Sequence, residues 1–191
     1  MKGAGLTYSR LPRLDVAHCK RLPVTLVFLP AADIATYVAE GNVDLGITGE
    51  DIIAEHDAHV DVLLPLNIGK CRLCVQAPAG RIKDVKQLAG KRIVTSFPNL
   101  ARKFFDEYDS VDETTIRYVS GSVEVACSLG LADGIVDLVE TGTTMRAAGL
   151  EIVAEVMTTQ VHAPRKKKER KKKEKEEEEG ERKRRRQKKR E

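Results

Sequence analysis

The sequence predicts an α/β protein built on mainly parallel sheets. Two observations carry that prediction. Short apolar, β-branched runs alternate with segments of helical period from residue 23 to residue 161, and the strands are followed by Gly, Ser or Thr turns. The fullest of these units is GIVDLVETGTTMRAAGL, residues 134–150, a buried-looking strand that runs straight into a glycine-containing turn and a helix. Ligands of such folds gather at the carboxyl ends of strands. The turns at residues 46–51, 96–99, 120–124 and 140–144 are therefore expected to line one cleft.

Taken in order, residues 1–22 show no clear period and read as a frayed lead-in without a motif. Residues 23–29 (PVTLVFL) are a strand by β-branched content, and residues 33–40 a short helix with Ile34, Tyr37 and Val38 on one face, stopped by Gly41. Residues 43–48 (VDLGIT) are the next strand. Thr48 and Asp51 then resemble a capping box opening a helix that runs to about His56. Residues 60–66 and 70–77 are strands, the second (KCRLCVQA) long enough to cross between lobes. Residues 85–88 are a short helix and residues 91–95 (KRIVT) a strand. Ser96 and Pro98 suit the start of a helix whose apolar side is Leu100, Phe104, Phe105 and Tyr108. Residues 116–119 are a strand, 123–131 a helix, 134–139 the strand of the fullest unit, 145–150 its helix, and 151–161 a last strand.

The 191 residues are 41% hydrophobic and 4% aromatic with no Trp, which suits one compact domain or two small lobes. The net charge of +4 hides a division. From Arg165 onward 17 Lys and Arg stand against 8 Glu, a balance of +9, which leaves residues 1–164 with 16 basic and 21 acidic side chains, or −5. Such a tail cannot bury a core and reads as a solvated, low-complexity segment. Nucleic-acid binding is a role for the tail alone, and the interleaved Glu and missing aromatics argue against it. No apolar run approaches a membrane span and residues 1–21 lack a signal-peptide core, so the cytosol is the expected compartment. Four cysteines, Cys19, Cys71, Cys74 and Cys127, are expected as reduced thiols.

The chemistry concentrates in residues 134–150. Asp137 and Glu140 place carboxylates at the end of the strand, and Thr141, Gly142, Thr143 and Thr144 follow at once. Hydroxyls, a side-chain-free glycine and the free N–H groups of a helix start can surround a phosphate. The carboxylates can hold sugar hydroxyls or a magnesium ion, and an ordinary strand-to-helix turn is the plain alternative. Glu50 and Asp51 would repel a phosphate, so their turn suits a base, a hydroxyl or simple capping. Cys71 and Cys74 have CxxC spacing without a second ligand pair, and His56 and His59 read as surface residues. There is no GxGxxG, Walker A or Ser-His-Asp pattern.

Four segments, VFLPAADIATYVAEGNVDLGITGEDII, GKCRLCVQAP, GKRIVTSFPNLARKFF and YVSGSVEVACSLGLADGIVDLVETGTTMRAAGL, together resemble the catalytic part of ATP phosphoribosyltransferases of fungal type, over roughly residues 23–160. The resemblance implies a two-lobed fold like type II periplasmic binding proteins, with a cleft for ATP and phosphoribosyl pyrophosphate. It also implies magnesium on the leaving pyrophosphate, homo-oligomeric assembly and a place in histidine biosynthesis. On the matching positions, Glu140, Thr141, Gly142, Thr143 and Thr144 would hold the 5-phosphate, with Asp137 near the ribose. Asp44, Leu45 and Gly46, with Gly121, Ser122 and Glu124, would line the nucleotide side. No catalytic base and no set of magnesium ligands is assigned.

The expected division is a first lobe over residues 1–75, a second lobe with the phosphate loop over 76–158, a return segment at 159–164 and the charged tail from 165 to 191. The family pattern also implies an apolar strand ahead of residues 4–10, and an apolar strand and long helix after Gln160. A first lobe short of one core strand is therefore expected, in a chain truncated at both ends with impaired activity. The alternative function is that of a non-catalytic small-molecule binder of the same fold.

Overall fold

The computed structural model describes residues 7–109 and 113–167. Part of the stretch read as a lead-in forms β1 (Val16–His18), which pairs antiparallel with β2 (Thr25–Val27). The first lobe follows: α1 (Ala31–Glu40), β3 (Thr48–Gly49), α2 (Glu50–Glu55) and β4 (Val60–Pro65). Next comes the second lobe, opened by β5 (Cys71–Pro78), a 3-10 turn (Val85–Leu88), β6 (Arg92–Thr95), α3 (Pro98–Phe105) and β7 (Thr115–Tyr118). A second 3-10 turn (Val123–Val125), β8 (Gly134–Val139), α4 (Thr143–Ala147) and β9 (Leu150–Thr159) complete it. Finally β10 (Val161–Lys166) returns to the first lobe.

The second lobe is a five-stranded sheet in the order β7-β6-β8-β5-β9. Its parallel half, β7-β6-β8, is made by the βα units that the alternation announces. The long strands β5 and β9, which meet the lobe boundary, pair antiparallel with each other, and β5 also pairs antiparallel with β8. Both faces are covered, because successive side chains of a strand point to opposite sides. Ile93 and Val136 join Leu73, Val75, Leu88, Phe97, Ala101 and Phe105 on one face, while Val94 and Ile135 join Val123, Ala126, Ala132 and Leu150 on the other.

The first lobe is a three-stranded antiparallel sheet, β3-β10-β4, with α1 packed on β10. Ala35, Val38, Ala163 and Pro164 are buried there, but Val62, Leu63 and Leu64 of β4 remain exposed. The strand expected over residues 43–48 shrinks to β3 and a single bridge between Leu45 and Arg165. Its neighbour β10 carries Pro164, which has no N–H to give a ladder, and the β10 register shifts between His162 and Pro164.

Four further sequence expectations change. The helix expected over residues 123–131 is only the 3-10 turn followed by irregular turns, since Gly121 and Ser122 enter it with φ of 78° and 50° and Gly130 also has positive φ. The capping box of Thr48 and Asp51 does not form: Gly49 is the cap residue, and the Asp51 carboxylate instead accepts a hydrogen bond from the Thr159 hydroxyl. The lobe boundary at residue 75/76 falls inside β5, which lies wholly in the second sheet. The tail expected from Arg165 begins later, because Arg165 and Lys166 close β10, with Arg165 opposite Asp61. The remainder of that tail lies outside the described residues.

Candidate active site

The candidate site starts where β8 ends. That strand lies in the middle of the sheet: β6 pairs with it as far as Val136 and β5 as far as Val139, after which Glu140 emerges exposed. Gly142 adopts φ 74° and turns the chain into α4. The turn is fastened by its own side chains: the Thr141 and Thr143 hydroxyls lie 2.9 Å apart, and Arg146 Nη2 donates to the Thr141 carbonyl at 3.1 Å. Arg146 thus leans back over the loop and adds a positive charge beside it. Sequence reasoning missed this residue, whose only signal is its place four residues after Gly142.

Leu138, Glu140, Thr141, Gly142, Thr143 and Thr144 line a cavity of about 440 Å³ with Gly69 and Cys71. A second cavity, of about 370 Å³, adjoins it along Cys71, Val139 and Glu140 and is walled by Glu50, Lys70, Arg72 and residues 158–160. The two form one trough from the loop to the strands that link the lobes. Lys70 and Arg72 bring cations to it, although Arg72 also pairs with Glu155 at 3.3 Å. The Cys71 thiol is pushed up by burial and then by the nearby Asp51 and Glu140 carboxylates, which makes it a poor nucleophile.

Asp137 stands on the opposite side of β8 from the neighbouring Leu138. Burial raises the pKa of its carboxyl, and the Glu124 carboxylate raises it further, while the Leu138 N–H that it accepts works the other way. The fold thereby brings Asp137 and Glu124, assigned to ribose and nucleotide respectively, close enough to sense each other. Gly121 and Ser122 sit beside Glu124 in an exposed turn. Asp44, Leu45 and Gly46 are in the first lobe, the last two against β10, and neither Asp137 nor any of these six lines either cavity just described. Gly46 gives its N–H to the Pro164 carbonyl, and a Cβ there would come within 2.8 Å of Ile34 and Val38 of α1. Close packing of α1 on the sheet therefore accounts for that glycine.

Cys71 and Cys74 are free thiols, the latter fully buried, and His56 caps its own helix by hydrogen bonding to the Ile52 carbonyl. Among the described residues no group of three or more His, Cys, Asp or Glu side chains is arranged to hold a metal ion. Among them, too, no helix is long and apolar enough to cross a membrane.

The family model for ATP phosphoribosyltransferase matches residues 30–183. The chain belongs to the ATP phosphoribosyltransferase family. It is 52% identical over 167 residues to an ATP phosphoribosyltransferase of Eremothecium gossypii, an alignment covering 85% of this chain and 56% of the relative. With the Saccharomyces cerevisiae enzyme it shares 50% over 172 residues, 87% of this chain and 58% of that one. The chain thus spans a little over half the length of these ATP phosphoribosyltransferases. Among solved structures it resembles the ATP phosphoribosyl transferase (HisG:HisZ) complex of Thermotoga maritima, with a TM-score of 0.74 and 28% identity over 85% of this chain and 77% of that one. A glycine-to-alanine mutant of arginine-bound ArgBP from T. maritima, with a TM-score of 0.55 at 16% identity over 75% of this chain and 68% of that one, shares the two-lobed fold of periplasmic binding proteins.

Proposed function

We propose that the chain carries the transfer that gives the family its name, in which adenine N1 of ATP attacks the anomeric carbon of phosphoribosyl pyrophosphate, forming phosphoribosyl-ATP and releasing pyrophosphate. This is a glycosyl transfer at the first step of histidine biosynthesis, carried out in the cytosol by an oligomer of this chain. The reading rests above all on the loop of residues 140–144, which closes the end of β8 with hydroxyls, a left-handed glycine and Arg146 while facing an interlobe trough. That set suits a 5-phosphate. Glu140, in the trough wall, suits the ribose hydroxyls, and Lys70 and Arg72 offer positive charge along the trough for the pyrophosphate. Asp137 lines neither cavity and is placed near the ribose by the family pattern alone. Asp44, Leu45, Gly46, Gly121, Ser122 and Glu124 take the nucleotide side in this reading.

Alignment of two phosphorylated substrates and neutralisation of their charge account for most of what such a transfer requires, since a pyrophosphate leaves readily and adenine N1 carries a free electron pair. The described carboxylates do not form a metal cage. In this reading magnesium enters with the pyrophosphate substrate as its counter-ion. The test is incubation of the full chain with ATP, phosphoribosyl pyrophosphate and magnesium, with phosphoribosyl-ATP sought by mass spectrometry. Calorimetric binding of phosphoribosyl pyrophosphate is measured in parallel. Product formation, or saturable binding abolished by Thr143→Ala and Thr144→Ala together, is expected. Absence of both product and binding overturns the reading.

A further inference from the structure

We propose that Glu55 is a positioning residue that holds the two lobes at a fixed angle by capping, from the first lobe, a helix of the second. The start of α3 has no cap of its own. Its cap position is Phe97, the first helical residue is Pro98, and the Ser96 hydroxyl is committed to the Val119 carbonyl at 2.7 Å. The next two N–H groups would be orphaned at the start of the helix. They are answered across the lobe boundary: Asn99 N–H donates to Glu55 Oε1 and Leu100 N–H to Glu55 Oε2, both at 2.9 Å. Asn99 Nδ2 also donates to the Glu55 main-chain carbonyl at 3.0 Å. Glu55 is only 5% exposed and makes no ion pair among the described residues, so these N–H groups and the positive end of α3 are what hold its charge.

The other end of α2 is tied as well. Asp51, also 5% exposed, accepts the Thr159 hydroxyl at 2.9 Å and gives its N–H to Thr159 Oγ1 at 3.1 Å. Thr159 ends β9, where the chain leaves the second lobe. The six residues of α2 are thus a brace fastened to the second lobe at both ends. Glu50, its first residue, stands in the wall of the trough that also contains Glu140. The pose of α2 therefore sets how wide the trough is, and Glu55, which touches neither cavity, sets the pose. A freely hinged pair of lobes would have no use for a buried carboxylate at this position.

The experiment compares the full chain with Glu55→Ala and Glu55→Gln. The glutamine keeps one acceptor but turns an amide N–H₂ toward a backbone donor. Amide hydrogen exchange is followed at Asn99, Leu100 and residues 50–55, with the β6 and β8 amides as a measure of whether the second lobe is intact, and small-angle scattering reports the separation of the lobes. Expected for Glu55→Ala is exchange at Asn99 and Leu100 faster by tenfold or more, a larger radius of gyration and unchanged protection in β6 and β8, with Glu55→Gln in between. Unchanged scattering and exchange overturns the proposal. So does loss of protection spread evenly through β6 and β8, which marks Glu55 as a general stabiliser; if Glu55→Ala does not fold, Glu55→Gln decides by the same criteria. One arm rests on the transferase reading: affinity for phosphoribosyl pyrophosphate is expected to fall at least threefold in Glu55→Ala. If the unaltered chain binds none, that reading fails while the exchange and scattering still judge the brace.

Discussion

Gly142 turns the loop of residues 140–144 at φ 74°, and a Cβ placed there would stand 2.8 Å from Arg146 Nη1. Gly142→Ala is therefore expected to cost about 1 kcal/mol of stability in a denaturant titration, from the left-handed backbone, and to displace the arginine from the loop. Asp137 behaves in the opposite sense. Its carboxyl is raised by burial and by Glu124, so the folded state prefers it protonated: its contribution to stability is fully present below about pH 4, the ordinary Asp value, and is lost as pH rises through the higher folded value. Asp137→Asn is expected to raise Tm at pH 7 and to leave it unchanged near pH 3, as thermal melts at the two pH values would report. A residue that destabilises the free chain is common at binding sites. The loop was legible in the sequence because strand end, carboxylates, glycine and hydroxyls are consecutive. Arg146 was not, because its role depends on a side chain folding back one turn. Glu55 was not, because its partners Asn99 and Leu100 lie 44 and 45 residues away.

At the scale of elements, the βα units were read correctly where the period is local, as in β6 with α3, while after β8 the helix expected over residues 145–150 sits earlier, at residues 143–147, and Leu150 already opens β9. The element the sequence concealed is β10. Residues 159–164 are expected only as a return segment, with the charged tail from Arg165, and only pairing with β3 and β4 makes VHAPRK the centre of a sheet. The Thr48 and Asp51 spacing misled for the same reason, since the Asp51 carboxylate finds its hydroxyl at Thr159 rather than in its own turn. Gly46 offers a check on this part of the fold. With Ile34 and Val38 each 2.8 Å from the would-be methyl, Gly46→Ala is expected to wedge α1 off the sheet and lower the unfolding free energy by about 1–3 kcal/mol, measured by urea denaturation.

Over the whole molecule the two lobes are unequal. The second has a sheet covered on both faces, whereas in the first Val62, Leu63, Leu64 and Ile68 are each 44–58% exposed. Burial of one such side chain contributes about 1.5–3 kcal/mol, so the first lobe forgoes much of the stabilisation its composition offers. Native-state hydrogen exchange is expected to find β3, β4 and β10 opening at lower free energy than β5, β6 and β8. Equal protection in both lobes would contradict this. The order of the strands has one more consequence. The central strand of the first lobe, residues 161–166, is the last in the described chain to leave the ribosome, after every strand of the second lobe. During synthesis residues 71–159 can complete their sheet as one uninterrupted stretch, while β3 and β4, which both pair with β10 and not with each other, wait for it without a partner strand. The lobe that begins first is finished last, and in that interval the bare β4 edge is where a nascent chain most needs a chaperone.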